Sequence, residues 1–219
     1  MGLFITLEGI EGAGKSTLRV AIAEVVREFG LEAVLTREPG ATALGASLRE
    51  LLLSISDEPI SEIAEVMLFA ADRAQHVERV IRPALERGAV VICDRYLHST
   101  LAYQGFGRGV RMELLEQVNA LAINHTHPDK VFLLDCPPEV GLERVRTRRV
   151  QQPGRGEPAG GDRFEAEELA FHRRVRDGFL NLAQENPALF SVLNAQASSE
   201  SVAAEAQRIT RELLVARQK

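Results

Sequence analysis

The sequence predicts an α/β fold, a five-stranded parallel sheet with helices on both faces. Three observations carry that reading. Five short apolar, β-branched runs recur along the chain, at Leu3–Leu7, Ala33–Thr36, Ala89–Cys93, Val131–Asp135 and Phe190–Leu193. Stretches with helical spacing separate them. The runs are nearly continuous in their hydrophobicity, which suits strands buried on both faces of a sheet.

The elements follow in order. Lys15–Phe29 places Leu18, Ala21, Ile22, Val25, Val26 and Phe29 on one helical face and stops at Gly30, a C-terminal helix signal. Leu44–Leu53 and Ser61–Glu86 are helical, and Pro83, which lacks an N–H, is expected to kink or split the second of these. Glu113–Asn124, Pro138–Arg149, Glu165–Glu185 and Ser198–Arg217 complete the set. The segment Gln151–Gly161 holds four Gly and two Pro, so it is neither helix nor strand. The length of 219 residues fits one domain, 1–219, with that segment as a lid over about residues 148–163 or, on the other reading, a passive linker.

Ligands of such sheets bind at the carboxyl ends of the strands, so the chemistry is sought there. The first run turns polar at Glu8 and leads into Gly9-Ile10-Glu11-Gly12-Ala13-Gly14-Lys15-Ser16. This is G-x-x-x-x-G-K-[ST] between a strand and a helix, the phosphate-binding P-loop. The glycines let successive N–H groups curl inward at phosphate oxygens, and the helix N-terminus adds partial positive charge. Lys15 is expected to reach the donor's β- and γ-phosphates, and Ser16 to ligate Mg²⁺. The motif makes the expected architecture a P-loop three-layer fold.

Cys93-Asp94-Arg95-Tyr96 follows the third run, then Ser99, Thr100, Tyr103 and Gln104. Arg95 suits a phosphate through its planar fork, while Asp94 could help hold Mg²⁺ or orient Arg95; a structural ion pair is the plain alternative. Phe69 and Arg73 are four apart on a helix and can together take a planar base, although the spacing equally fits ordinary core. Asp135 ends the fourth run and either orients Mg²⁺ through water or caps the next helix.

The formal net charge of −5 argues against a general nucleic-acid binder. Six arginines crowd residues 144–163 against Glu157 and Asp162, a local cationic arm for a small anion. Cys93 and Cys136 have no CxxC partner and read as buried thiols of a reducing cytoplasm. No apolar run reaches membrane-spanning length, and the N-terminus does not read as a signal peptide. A guanine-specific N-K-x-D motif is absent, which separates the chain from GTPases.

Together the pieces resemble the thymidylate kinase family over nearly the full length. They are LEGIEGAGKST (7–17), TREPG (36–40), LRELLL (48–53), FAADRAQH (69–76), DRYxxSTxAYQG (94–105) and DRFE (162–165). The resemblance implies an enzyme that phosphorylates dTMP from ATP with Mg²⁺, acting as a cytoplasmic homodimer. It implies a donor site at residues 9–17, from Gly9 through Thr17. It implies that Phe69 stacks on thymine, Arg73 donates to its O4, Thr100 reads its N3 edge and Gln104 lies beside it. Arg37 and Arg95 would hold the acceptor phosphate, Glu11 the sugar 3′-hydroxyl region, and Tyr103 would exclude a 2′-hydroxyl. Glu11 stands where some family members carry a catalytic arginine, so the resemblance assigns that role to the lid, to Arg148 first and Arg163 second. Ala41 replaces a usual glycine after TREPG, and the lid is longer than expected. A kinase for another nucleoside monophosphate, or a P-loop switch protein without turnover, are the rival readings.

Overall fold

The computed structural model describes residues 2–151 and 162–218. Five strands, β1 (Leu3–Glu8), β2 (Ala33–Arg37), β3 (Val90–Asp94), β4 (Lys130–Asp135) and β5 (Phe190–Asn194), form one sheet. All pairings are parallel, in the order β2-β3-β1-β4-β5. Every predicted strand is present. From β1 the chain crosses to β2 on one side, returns to β3, and then crosses β1 to reach β4. The carboxyl end of β1 is therefore where the connections diverge, and a crevice opens there.

Both faces of the sheet are covered. Leu3, Ile5 and Leu7 of β1 join a core with Ile22 and Val25. Phe4 points the other way, with Val91, Cys93, Val77, Ile81 and Ala84. This alternation across two buried faces explains why the strands read as unbroken apolar runs. Burying each such side chain contributes on the order of 1.5–3 kcal/mol. Cys93 and Cys136 are buried free thiols, and burial pushes the Cys93 thiol well up.

The helices are α1 (Lys15–Glu28), α2 (Ala43–Leu53), α3 (Glu62–His76), α4 (Arg82–Glu86), α5 (Leu97–Thr100), α6 (Met112–Ile123), α7 (Pro138–Gln151), α8 (Leu169–Glu185) and α9 (Ser199–Gln218). The long helical stretch around Pro83 is not cut. A π-helical turn, Val77–Ile81, joins α3 to α4. Pro83 has no N–H for the Arg79 carbonyl, which lies inside that turn, so the backbone widens where the bond is missing.

Two departures from the sequence reading shape the site. Residues 97–107 form α5 and a second π-helical turn, Leu101–Gly107. Packing favours this over propensity: a Cβ on Gly178 of α8 would stand 2.5 Å from the Phe106 ring. The eighth helix was expected from Glu165 and begins at Leu169. The Asp162 carboxylate accepts the Phe164 N–H at 2.8 Å, and its carbonyl accepts the N–H groups of Glu165 and Ala166. That turn delays the helix and directs Phe164 inward. Residues 152–161, with Arg155 and most of the expected lid, lie outside the described residues.

Candidate active site

The P-loop sits in the crevice as its motif requires. Gly9, Gly12 and Gly14 all take positive φ. Gly12 is the tightest of them. A Cβ there would stand 2.0 Å from the Gly141 carbonyl oxygen on α7. Ile10 and Ala13 turn into the core, so they serve the loop through their backbone. Gly12, Gly14, Lys15, Ser16 and Thr17 line a cleft of about 490 Å³. The Lys15 ammonium donates to the carbonyls of Gly9 at 2.9 Å and Ile10 at 2.8 Å. Burial, with help from Arg95, brings its pKa down to about 8 against the opposing pull of Asp94, Glu11 and Glu8.

Arg95 projects into the same cleft from the turn after β3, with φ of 67°. Glu8, at the end of β1, holds that turn. One of its oxygens accepts the Tyr96 N–H at 2.9 Å and the other the Ser99 hydroxyl at 2.6 Å. Burial raises the Glu8 pKa to about 7 although Ser99 and Arg95 work the other way. The Arg95 guanidinium reaches Glu11 Oε1 at 2.7 Å and lies 4.9 Å over the Tyr103 ring. The Tyr103 hydroxyl donates to the same Glu11 oxygen at 2.7 Å. Burial would raise the Glu11 pKa, but Arg95, Lys15 and Tyr103 together hold it below the usual carboxylate range.

A cationic corner lies beside this group. Arg37 from the end of β2, Arg49 from α2 and Arg95 all line the cleft. Burial, then the charges of Arg37 and Arg95, depress the Arg49 pKa. Three guanidiniums lining one cleft suit a multiply charged anion.

The opposite wall is aromatic. Phe69 lines the cleft with Phe164, their ring centroids 6.1 Å apart. Tyr103 meets Phe164 edge-on at 5.6 Å. Arg73 and Thr100 also line it, bonded to each other at 3.0 Å. Arg73 is buried and heavily committed. It donates to Glu38 at 2.8 Å, Asn119 at 2.6 Å and the Tyr96 carbonyl at 3.1 Å. Glu38 also meets His76 Nδ1 at 2.9 Å, while His76 Nε2 lies 2.7 Å from the Thr36 hydroxyl. The TREPG and FAADRAQH stretches are thus joined by one buried network. Gln104 completes this wall.

The lid candidates separate. Arg148, on α7, lines the cleft together with Arg144. Arg163 does not. Its guanidinium pairs with buried Glu65 at 2.6 Å and bonds the Leu52 carbonyl, and its backbone N–H donates to Leu53 O. A buried carboxylate needs cationic partners, and Arg163 is one of them, so it faces away from the phosphate corner. Asp135, at the end of β4, has an ion-pair partner. Arg176 grips it with two bonds of 2.6 and 2.9 Å. Asp94 and Ser16 stay at the cleft, both as oxygen donors.

Sequence reasoning missed Arg49, Glu38, Asp162 and Phe164. The LRELLL and DRFE stretches contained signals for Arg49 and Phe164, but nothing local marked either side chain as pointing inward. Glu38 before a proline reads as turn chemistry until its partners on α3 are seen.

The sequence and the fold are shared with known proteins. A family profile described as thymidylate kinase matches residues 7–206. The thymidylate kinase of Nitratidesulfovibrio vulgaris strain DSM 19637 is 46% identical over 214 residues, covering 98% of each chain. That of a Synechococcus strain is 49% identical over 202 residues, covering 92% of this chain and 91% of the relative. The crystal structure of thymidylate kinase from Ehrlichia chaffeensis superposes with a TM-score of 0.74 at 33% identity, covering 95% of this chain and 98% of that one. With the P-loop, the cationic corner and the aromatic wall in one crevice, these likenesses place the protein: the chain belongs to the thymidylate kinase family.

Proposed function

We propose that the chain transfers the γ-phosphoryl group of ATP to dTMP, giving ADP and dTDP for dTTP synthesis. One observation carries the reading. A single cleft joins a P-loop at one end to a cationic corner and an aromatic wall at the other. Phosphoryl transfer needs little covalent work from the protein; it needs two anions aligned, water kept out and charge neutralised. The backbone of residues 9–17 and the Lys15 ammonium hold the donor phosphates. Arg37, Arg49 and Arg95 hold the acceptor phosphate. Phe69, Phe164, Thr100, Gln104 and the remaining donor capacity of Arg73 take the base. Glu11, fixed by Arg95 and Tyr103, faces the sugar, and the Tyr103 ring closes the space beside it. Arg148 supplies the guanidinium nearest the transferring group.

Ser16 and Asp94 suit Mg²⁺, because both line the cleft and both carry oxygen ligands. Among the described residues no group of three or more His, Cys, Asp or Glu could hold a metal alone. The other ligands would come from water and phosphate oxygens. A cation there neutralises phosphate charge and fixes its orientation.

The test is ADP formation against a panel of nucleoside monophosphates. dTMP is expected to give the highest kcat/KM. A different preferred acceptor would assign another nucleoside-monophosphate kinase activity, and no acceptor-dependent turnover would assign a switch protein.

The partners are ATP and dTMP, in the cytoplasm, with neither nucleic acid nor membrane. No helix among the described residues is long and apolar enough to cross a membrane. A second copy of the chain is also assigned. Leu51, Ile63 and Met67, on α2 and α3, are about half exposed, and Leu121 on α6 is 84% exposed. These apolar side chains favour a homodimer. Light scattering is expected to give twice the chain mass of 24.1 kDa, and a single-chain mass would remove the assignment.

A further inference from the structure

We infer that Glu65 is a positioning residue for base selection: it fixes which way the Gln104 amide faces and so makes the pocket prefer a base that presents an N–H donor. Glu65 lies on α3, one turn before Phe69, and is 1% exposed. Its Oε1 accepts Gln104 Nε2 at 2.7 Å and Arg108 Nε at 3.0 Å, and its Oε2 accepts Arg163 Nη1 at 2.6 Å. An ionised carboxylate can only accept hydrogen bonds. The amide nitrogen of Gln104 must therefore face Glu65, with the carbonyl oxygen turned away from it. Gln104 lines the cleft, and with its nitrogen committed to Glu65 the carbonyl oxygen is taken as the group it offers there. The two ends of a primary amide have the same shape; the negative charge behind Gln104 decides between them.

Arg108 and Arg163 compensate that buried charge, and they do a second job. Their guanidinium carbons stand 5.5 and 4.5 Å from the Phe164 ring, on the aromatic wall of the same pocket. Glu65 thus anchors both the polar reader and the stacking surface. Thymine carries a donor at N3, flanked by carbonyl oxygens. Cytosine carries a lone pair at N3, which would face the lone pairs of Gln104. A buried site built around one hydrogen-bond pattern rejects the reversed pattern more strongly than shape alone allows.

This inference rests on the assignment of the cleft's aromatic end to the acceptor base. Glu65→Gln replaces an obligate acceptor with an amide that also donates, which frees Gln104 to turn over. KM for dTMP is expected to rise about tenfold, with kcat and KM for ATP nearly unchanged. The ratio of dCMP to dTMP dissociation constants, read by competition, is expected to fall about tenfold. Gln104→Met removes the amide, and in that background Glu65→Gln is expected to cost dTMP clearly less affinity than in the parent protein, the remainder acting through Arg108 and Arg163 on Phe164. Glu65→Asp keeps the charge for Arg108 and Arg163 but withdraws it from Gln104. It is expected to lower the same ratio at near-parental melting temperature, and it decides the question if Glu65→Gln does not fold. Fully additive losses in the double variant, an equal rise in both KM values, or an unmoved ratio would make Glu65 a purely structural anchor. Failure of the parent protein to phosphorylate dTMP would instead overturn the assignment of the cleft.

Discussion

Lys15→Ala is expected to lower kcat by about 10²-fold or more while leaving the fold intact. The ammonium is the only side-chain cation within the P-loop motif, and it is already aimed at the loop's interior by the carbonyls of Gly9 and Ile10. In the proposed transfer it acts on the charge that builds up on the transferring phosphates, so its loss would remove transition-state stabilisation. The loop's shape does not depend on it, since the glycines set the backbone and Gly12 abuts α7. Retention of more than about a tenth of kcat would contradict the role. The same residue gives ATP binding a pH signature. Without ATP the ammonium loses its proton near pH 8, whereas bound phosphates hold that proton. Above that pH, binding must take up a proton, so ATP affinity falls as pH rises. Calorimetry in buffers of differing ionisation enthalpy is expected to show the uptake, and Lys15→Ala to abolish it.

Arg148→Ala is expected to bring a loss at least as large, on the order of 10³-fold in kcat at saturating substrates. The P-loop motif contains no arginine, and the arginines of α7 that line the cleft are Arg144 and Arg148. Arg144 is drawn toward the Ala195 carbonyl at 3.0 Å. Arg163→Ala provides the contrast. It is expected to raise KM for dTMP and lower the melting temperature, with little change in kcat, because its guanidinium serves Glu65 and Phe164. Reversed results for the two variants would place Arg163 at the phosphates in the closed enzyme.

The sheet and the P-loop were legible because each is written locally. A strand buried on both faces is a continuous apolar run, and a phosphate loop is a fixed spacing of Gly and Lys. Residues 97–107 were not, since their helical and π-helical turns depend on a distant glycine, Gly178, that leaves room for Phe106. Arg73 and Arg95 could be picked out as cleft residues, but not their partners. Glu38, Glu65 and Glu8 read as ordinary carboxylates until the fold buries them beside Arg73, Arg163 and the Arg95 turn. Arg163 was the second lid candidate that the family resemblance offered, and a glutamate 98 positions earlier in the chain pairs with it.

The contact between Gly12 and Gly141 has a mechanical side. The two backbones touch without an intervening Cβ, each glycine excluding a side chain from the other's space. α7 therefore meets the P-loop backbone to backbone there, with the Ile10 side chain alongside Gly141. Arg148 lies two helical turns beyond that point, about 10 Å along the axis. If α7 pivots on that contact, a tilt of about ten degrees carries the Arg148 backbone through about 2 Å. A displacement of that size separates a guanidinium in hydrogen-bonding contact from one held off by a water molecule. An alanine at either glycine would wedge a Cβ into that contact.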